Sequence, residues 1–184
     1  MAGYLRRCNG GVVWTVRPAG PGDNGAILEV VGQAFTGPDH DGQEEVDIVL
    51  QTWQLGAGIE GLELVADVDG TVVGHVLGAR ADLQGRELLA IAPLAVAPTW
   101  QGRGIGSALM TELLDRADDL GWPMAVLLGN PEFYGRFGFE AAGPLGLVYR
   151  PVGQGDPHFQ ARRLSSFESS LRGEVRYCWE IATG

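Results

Sequence analysis

The 184-residue chain contains no lysine: all 13 of its basic residues are arginine. That excludes a P-loop nucleotide site, whose G-K-[ST] lysine must reach the phosphates, and it excludes lysine Schiff-base chemistry. Cysteine is nearly absent. Cys8 and Cys178 lie at opposite ends of the chain and read as two unpaired thiols. The histidines His40, His75 and His158 are scattered, and no H-E-x-x-H or paired C-x-x-C accompanies them, so no metal site is expected. No apolar run approaches the ~18 residues needed to span a bilayer. The N-terminus carries two arginines with no apolar block of secretory type behind them, so a cytoplasmic protein without membrane partners is expected. Positive charge is in short supply, and a net charge of −10 opposes nucleic acid, whose binding rests on phosphate neutralisation.

What is present fits a soluble globular chain: 45% hydrophobic and 20% charged residues, at a length that suits one domain over 1–184. Arginine without lysine, together with 29 glycines, points to a GC-rich bacterial genome. "VVWTVRPA" (12–19) alternates as a strand, and "GPGDN" then supplies Asp23 or Asn24 as an N-cap. Helical spacing follows through Ile27, Leu28, Val31 and Phe35, and a polar loop leads to a second helix over about 43–53. "GLELVADVDGTVVGHVLGA" is a hairpin with an Asp-Gly turn. "RELLAIAPLAVAP" is a buried strand, yet Pro93 sits inside it; proline cannot donate to a ladder, so an edge or a bulge is expected there. A helix from Ile105 to about Leu120, a strand at "PMAVLLG", a short helix at "PEFYGRF" and strands at "GFEAAGPLGLVYRP" and "GEVRYCWEI" follow in turn. The order gives a mixed α/β fold: an antiparallel meander leading into a β-α-β half.

"PTWQGRGIGSALM" (98–110) places Gly102, Gly104 and Gly106 where a helix begins. The first N–H groups of a helix have no internal partner and carry the positive end of its dipole, so a strand, a glycine turn and a helix N-terminus make a phosphate-binding arrangement. Glycines admit a diphosphate without Cβ interference, and Arg103 adds a forked donor. A dinucleotide turn fails, because Ser107 or Leu109 occupies the third glycine position of G-x-G-x-x-G. A tight turn serving only helix packing stays open.

Gln101-x-x-Gly104-x-Gly106, after a strand ending "LAVAP" and before an amphipathic helix, resembles motif A of the GNAT acetyltransferases. About thirty residues on, "NPEFYGRFGFE" resembles that superfamily's "FYEKLGF"-type segment through Phe133, Tyr134, Arg136, Gly138 and Phe139. The resemblance covers about residues 12–145 and leaves a C-terminal extension over about 146–184. It implies a GNAT fold with a splayed parallel strand pair and acetyl-CoA as co-substrate. Leu94, Ala95 and Val96 would bond the pantetheine. The pyrophosphate would lie beside Gln101, over the N–H groups of Gly102, Arg103, Gly104, Ile105, Gly106 and Ser107. Asn130 would contact the cofactor, or cap the helix before Pro131, or both.

The same resemblance implies transfer of acetyl to a primary amine, small-molecule or peptide, by direct attack, with Tyr134 as the general acid for the departing thiolate. Taken without the resemblance, a tyrosine in an aromatic cluster with Phe133, Phe137 and Phe139 is usually core. Glu87 is the carboxylate nominated as base, against a solvated strand-end charge. Asp39, Asp41, Glu44 and Glu45 suit a cationic acceptor or a solvated face. A non-catalytic acyl-CoA-binding sensor is the alternative function, and a homodimer is open.

Overall fold

A computed structural model describes residues 4–7, 13–153 and 155–181. An antiparallel pair, β1 (Tyr4–Arg7) and β2 (Val13–Pro18), leads into α1 (Asn24–Phe35). A two-residue hairpin of β3 (Thr36–Gly37) and β4 (His40–Asp41) precedes α2 (Gln43–Gln54). The meander is β5 (Gly58–Val68), β6 (Thr71–Leu83) and β7 (Arg86–Val96), followed by α3 (Ile105–Asp119) and β8 (Met124–Leu128). Then come α4 (Pro131–Tyr134), β9 (Glu140–Ala141), β10 (Leu147–Val148), β11 (Phe159–Arg163), β12 (Gly173–Tyr177) and α5 (Cys178–Ile181). No helix among the described residues is long and apolar enough to cross a membrane. Cys8 lies outside the described residues, and Cys178 is a free thiol.

The main sheet runs β1-β2-β5-β6-β7-β8-β11-β9, with β12 laid on the far part of β6. Every pair along this path is antiparallel except β7 with β8, which α3 connects as a crossover. The expected mixed fold, meander first and β-α-β after, is the observed one.

α3 forms because its apolar residues recur at helical spacing, and Ile105, Leu109, Met110, Leu113, Leu114 and Ala117 are all buried beneath it. Gly74 on β6 lets it settle: a Cβ there would meet Ile105 Cγ2 at 3.0 Å and Leu109 Cδ1 at 3.1 Å. Each buried leucine of that face contributes about 1.5–3 kcal/mol, which fixes the helix start against the sheet. α1 and α2 cover the other face over Val65, Val72, Leu77, Ala95 and Ala97.

The expected cap of α1 takes a different form. Asp23 holds the N-cap position without a side-chain cap bond. Its carboxylate is gripped by Arg17 at 2.7 and 2.9 Å and accepts from the Gly20 N–H at 2.8 Å. Arg17 also reaches Asp67 at 2.9 Å, tying the helix start to the sheet, and its bond to Asp23 holds that carboxyl below the usual range.

Two C-terminal expectations are corrected, and one strand is not expected from the sequence. The strand expected over "GFEAAGPLGLVYRP" is cut into β9 and β10 by turns at Gly143–Leu145 and Arg150–Val152, because Gly146 is left-handed (φ +81) and Pro144 and Pro151 break the ladder. "GEVRYCWEI" is strand only to Tyr177 and turns helical at Cys178. β11, "FQARR", carries no apolar run or clear alternation, and it nonetheless lies between β8 and β9.

Candidate active site

The irregularity expected at Pro93 is a bulge. The β6–β7 register passes from Val76↔Leu94 to Gly78↔Ile91, so Ala92 and Pro93 are accommodated against one residue, Leu77. Side-chain parity flips across it: Leu89 and Ile91 pack under α3 before the bulge, and Leu94 and Val96 do so after it. On its other edge β7 pairs with β8 only at Leu89↔Ala125 and Ala90↔Val126. Past Ala90 the two parallel strands separate. The Ala97 N–H donates to Val73 O at 2.9 Å, and peptide groups alternate along a strand, so those of Leu94 and Val96 face the opened edge. Ala95 faces β6 opposite His75 and is 1% exposed. Of the three residues expected to meet pantetheine, Leu94 and Val96 line the cavity that fills the gap; Ala95 does not.

The glycine turn closes one end of that cavity. Gly102 and Gly104 have φ of +73 and +81, the left-handed region that a β-carbon disfavours, and Gly104 is the N-cap of α3. The first intrahelical bond runs from Ala108 N to Gly104 O, which leaves the N–H groups of Ile105, Gly106 and Ser107 without helical partners at the cavity wall. Gly106 is different: its backbone is helical, and a Cβ would rest 3.6 Å from Val96 Cγ2 and 3.8 Å from Phe133 Cζ. Gln101 lines the cavity and donates from Nε2 to Val96 O at 3.0 Å, bracing the turn on the strand. Arg103 turns back on its own loop, stacking over Trp100 at 4.8 Å and donating to Thr99 O at 3.2 Å; it is not a lining residue.

β8 ends at the same cavity. Asn130 caps α4 by accepting from Glu132 N at 2.9 Å, and it also lines the cavity. Tyr134 closes α4 and packs edge-on against Phe133 and Phe139. Its ring lies on Gly129, where an added Cβ would stand 2.1 Å from Tyr134 Cε2. Gly129 is in turn clamped: its N–H donates to His158 O and its carbonyl accepts from Gln160 Nε2, both at 2.9 Å, with Gln160 1% exposed. The Tyr134 hydroxyl has no protein hydrogen-bond partner among the described residues, and burial pushes the phenol up to about 12. Gly129 and Gln160 are not among the residues expected from sequence, for a lone glycine and a polar residue of a hidden strand carry no periodic signal.

Glu87 is not brought to this place. It is exposed at the start of β7, ion-paired with Arg80 at 3.3 Å, and the six residues separating it from Pro93 amount to about 20 Å of strand. The carboxylates that line the cavity are Glu44 and Glu45, in the first turn of α2; Asp39 and Asp41 are not among the lining residues. The cavity measures about 840 Å³ and continues to Tyr149, Tyr177 and Trp179. Among the described residues, no cluster of three or more His, Cys, Asp or Glu side chains is placed to hold a metal ion.

A bulged strand opened from its parallel neighbour, beside a glycine-capped helix start, has close counterparts. The family model of the GNAT acetyltransferase domain matches residues 60–141. The crystal structure of the GNAT family N-acetyltransferase YhbS of Escherichia coli in complex with CoA superposes with a TM-score of 0.82, at 30% identity over 97% of this chain and 98% of that one. The chain belongs to the GNAT acetyltransferase family. Over a 115-residue stretch, 61% of this chain and 67% of the relative, identity to YhbS of E. coli K12 is 40%. A GNAT acetyltransferase of Brucella melitensis in complex with acetyl-CoA gives a TM-score of 0.73 at 30% identity, over 89% of this chain and 95% of that chain. In GNAT terms the β7–β8 opening is the splayed pair of the fold.

Proposed function

We propose that the protein transfers an acetyl group from acetyl-CoA to a primary amine by direct attack. The observation that carries this reading is the meeting in one cavity of the open Leu94–Val96 edge, the α3 N-terminus and Tyr134. Its residues fit the co-substrate: the strand edge offers amide partners to pantetheine, and the N–H groups of Ile105 to Ser107 offer a cradle for pyrophosphate. Homologues in complex with CoA and acetyl-CoA support the same choice.

Acetyl-CoA, when bound, supplies the thioester. An N–H of the open edge hydrogen-bonds the carbonyl oxygen and favours charge developing there. The amine nitrogen forms the new C–N bond, the C–S bond breaks, and the Tyr134 hydroxyl gives its proton to the departing sulfur. A phenol raised to about 12 by burial keeps its proton at neutral pH and is restored from solvent after each turnover. The amine gives up its own proton to solvent water; at pH 7 only about one part in 2,500 of an alkyl ammonium is neutral.

Following thiol release from acetyl-CoA across a panel of amines tests this reading. Turnover of at least one amine is expected. CoA at a hundredfold excess over its Kd should add about 2.7 kcal/mol of stability, with far smaller effects from NAD and ATP. Tight CoA binding without turnover of any amine would point instead to a sensor.

A further inference from the structure

Resting on that acetyl-transfer reading, one end of the cavity speaks to the acceptor. Tyr149, Tyr177 and Trp179 line it together with Phe35 and Ile48. The rings form a ladder: Tyr149 meets Tyr177 edge-on at 4.9 Å, and Tyr177 stacks on Trp179 at 4.7 Å with their planes 8° apart. Glu180 anchors it, accepting from the Tyr149 hydroxyl and from the Tyr177 N–H at 3.2 Å. Tyr149 and Tyr177 are 5% and 2% exposed, whereas Trp179 is half-buried and offers its surface to the cavity.

Charge is divided along the cavity. Arg136, which lines it, stacks over Phe133 at 4.6 Å, beside Gly106 and the phosphate cradle. Glu44, exposed, and Glu45, half-buried, are the carboxylates that line it, both from α2, and neither has an ion-pair partner among the described residues. Two unmatched carboxylates beside an apolar aromatic wall suit one cation carried on a flat apolar body. A second ammonium, as in a polyamine, would be desolvated on Phe35 and Ile48. A carboxylate beside the amine, as in an amino acid, would face Glu44 and Glu45.

We propose that this wall is the acceptor subsite and that it selects an arylalkylamine. The test compares phenethylamine with butylamine, spermidine, phenylalanine and a lysine-containing peptide, by initial rates of thiol release from acetyl-CoA. Phenethylamine is expected to exceed each in kcat/KM by about tenfold or more, the scale on which an apolar pocket discriminates. Trp179→Leu should cut the margin over butylamine to within about threefold, and Glu44→Gln with Glu45→Gln should cut the margin over phenylalanine similarly. Both variants should keep the wild-type melting shift with CoA. Equal use of butylamine, spermidine or the peptide, or a ring preference that survives Trp179→Leu, overturns the assignment and leaves acetyl transfer standing. Turnover of no amine contradicts acetyl transfer itself. The ring preference is then read by calorimetry on CoA-loaded protein, where equal affinities for phenethylamine and butylamine overturn it.

Discussion

At one end of the cavity the protein presents backbone: the Leu94 and Val96 peptide groups and the first N–H groups of α3. At the other it presents side chains, the rings of Tyr149, Tyr177 and Trp179 and the carboxylates of Glu44 and Glu45. A backbone surface requires a bulge and left-handed turns, and only a few residue types at close spacing supply them. Pro93, Gly102 and Gly104 are those residues. A side-chain surface needs only rings and charges of suitable size, brought by topology from α2, the turn after β10, and the β12–α5 junction. On the proposed assignment, cofactor recognition is written locally in the chain and acceptor recognition in the fold.

The contrast can be broken at several points, beginning with the largest expected effect. Gly129→Ala would push the Tyr134 ring from its seat, since the new Cβ falls 2.1 Å from Cε2. With backbone geometry undisturbed, kcat should drop by about 10²-fold, the scale of lost acid catalysis, while the melting shift with CoA persists. Unchanged kcat would mean that the seat of the ring is irrelevant to the chemistry. Next, Gly106→Val inserts bulk at the cradle without a left-handed backbone and should weaken CoA binding by about tenfold or more, read by calorimetry. Gly104→Val is a poorer probe, for a β-branched residue at φ +81 is strained by about 1–3 kcal/mol whatever binds.

A smaller effect is expected in alkali. Burial raises the Tyr134 phenol from its usual value near 10 to about 12, so the folded state holds this proton more tightly than the unfolded chain does. The associated stability is intact below pH 10 and is lost as pH rises toward 12. Wild type should lose more stability than Tyr134→Phe over that interval in urea titrations, and equal losses would contradict the burial of the hydroxyl. Gln101→Ala, which frees Val96 O from its 3.0 Å bond, should raise KM for acetyl-CoA by about two- to tenfold at most, because a hydrogen bond of this kind contributes about 0.5–1.5 kcal/mol.

Much of the backbone end is legible in the amino-acid sequence. Pro93 announces the bulge, and the glycines announce the helix start, because a missing N–H and a missing Cβ have immediate geometric consequences. The clamp on Gly129 is hidden because Gln160 sits on β11, whose "FQARR" looks like loop until two neighbouring strands claim it. Glu87 misleads for a related reason. Along an extended strand, proximity in sequence is distance in space, so a carboxylate at the head of β7 is remote from a bulge near its end. The aromatic wall leaves no trace at all, its rings spaced by topology and not by period.

The most direct measurement is made on Tyr134→Phe, which keeps the ring against Gly129, Phe133 and Phe139 and removes only the hydroxyl. A phenol that protonates the departing thiolate is needed in the transition state and adds little to holding the cofactor. The expected result is a kcat lowered by about 10²-fold with CoA affinity within a few-fold of wild type. Wild-type kcat in a folded Tyr134→Phe protein would contradict the role assigned to the hydroxyl, and the proton would then have to reach the sulfur from water or another residue.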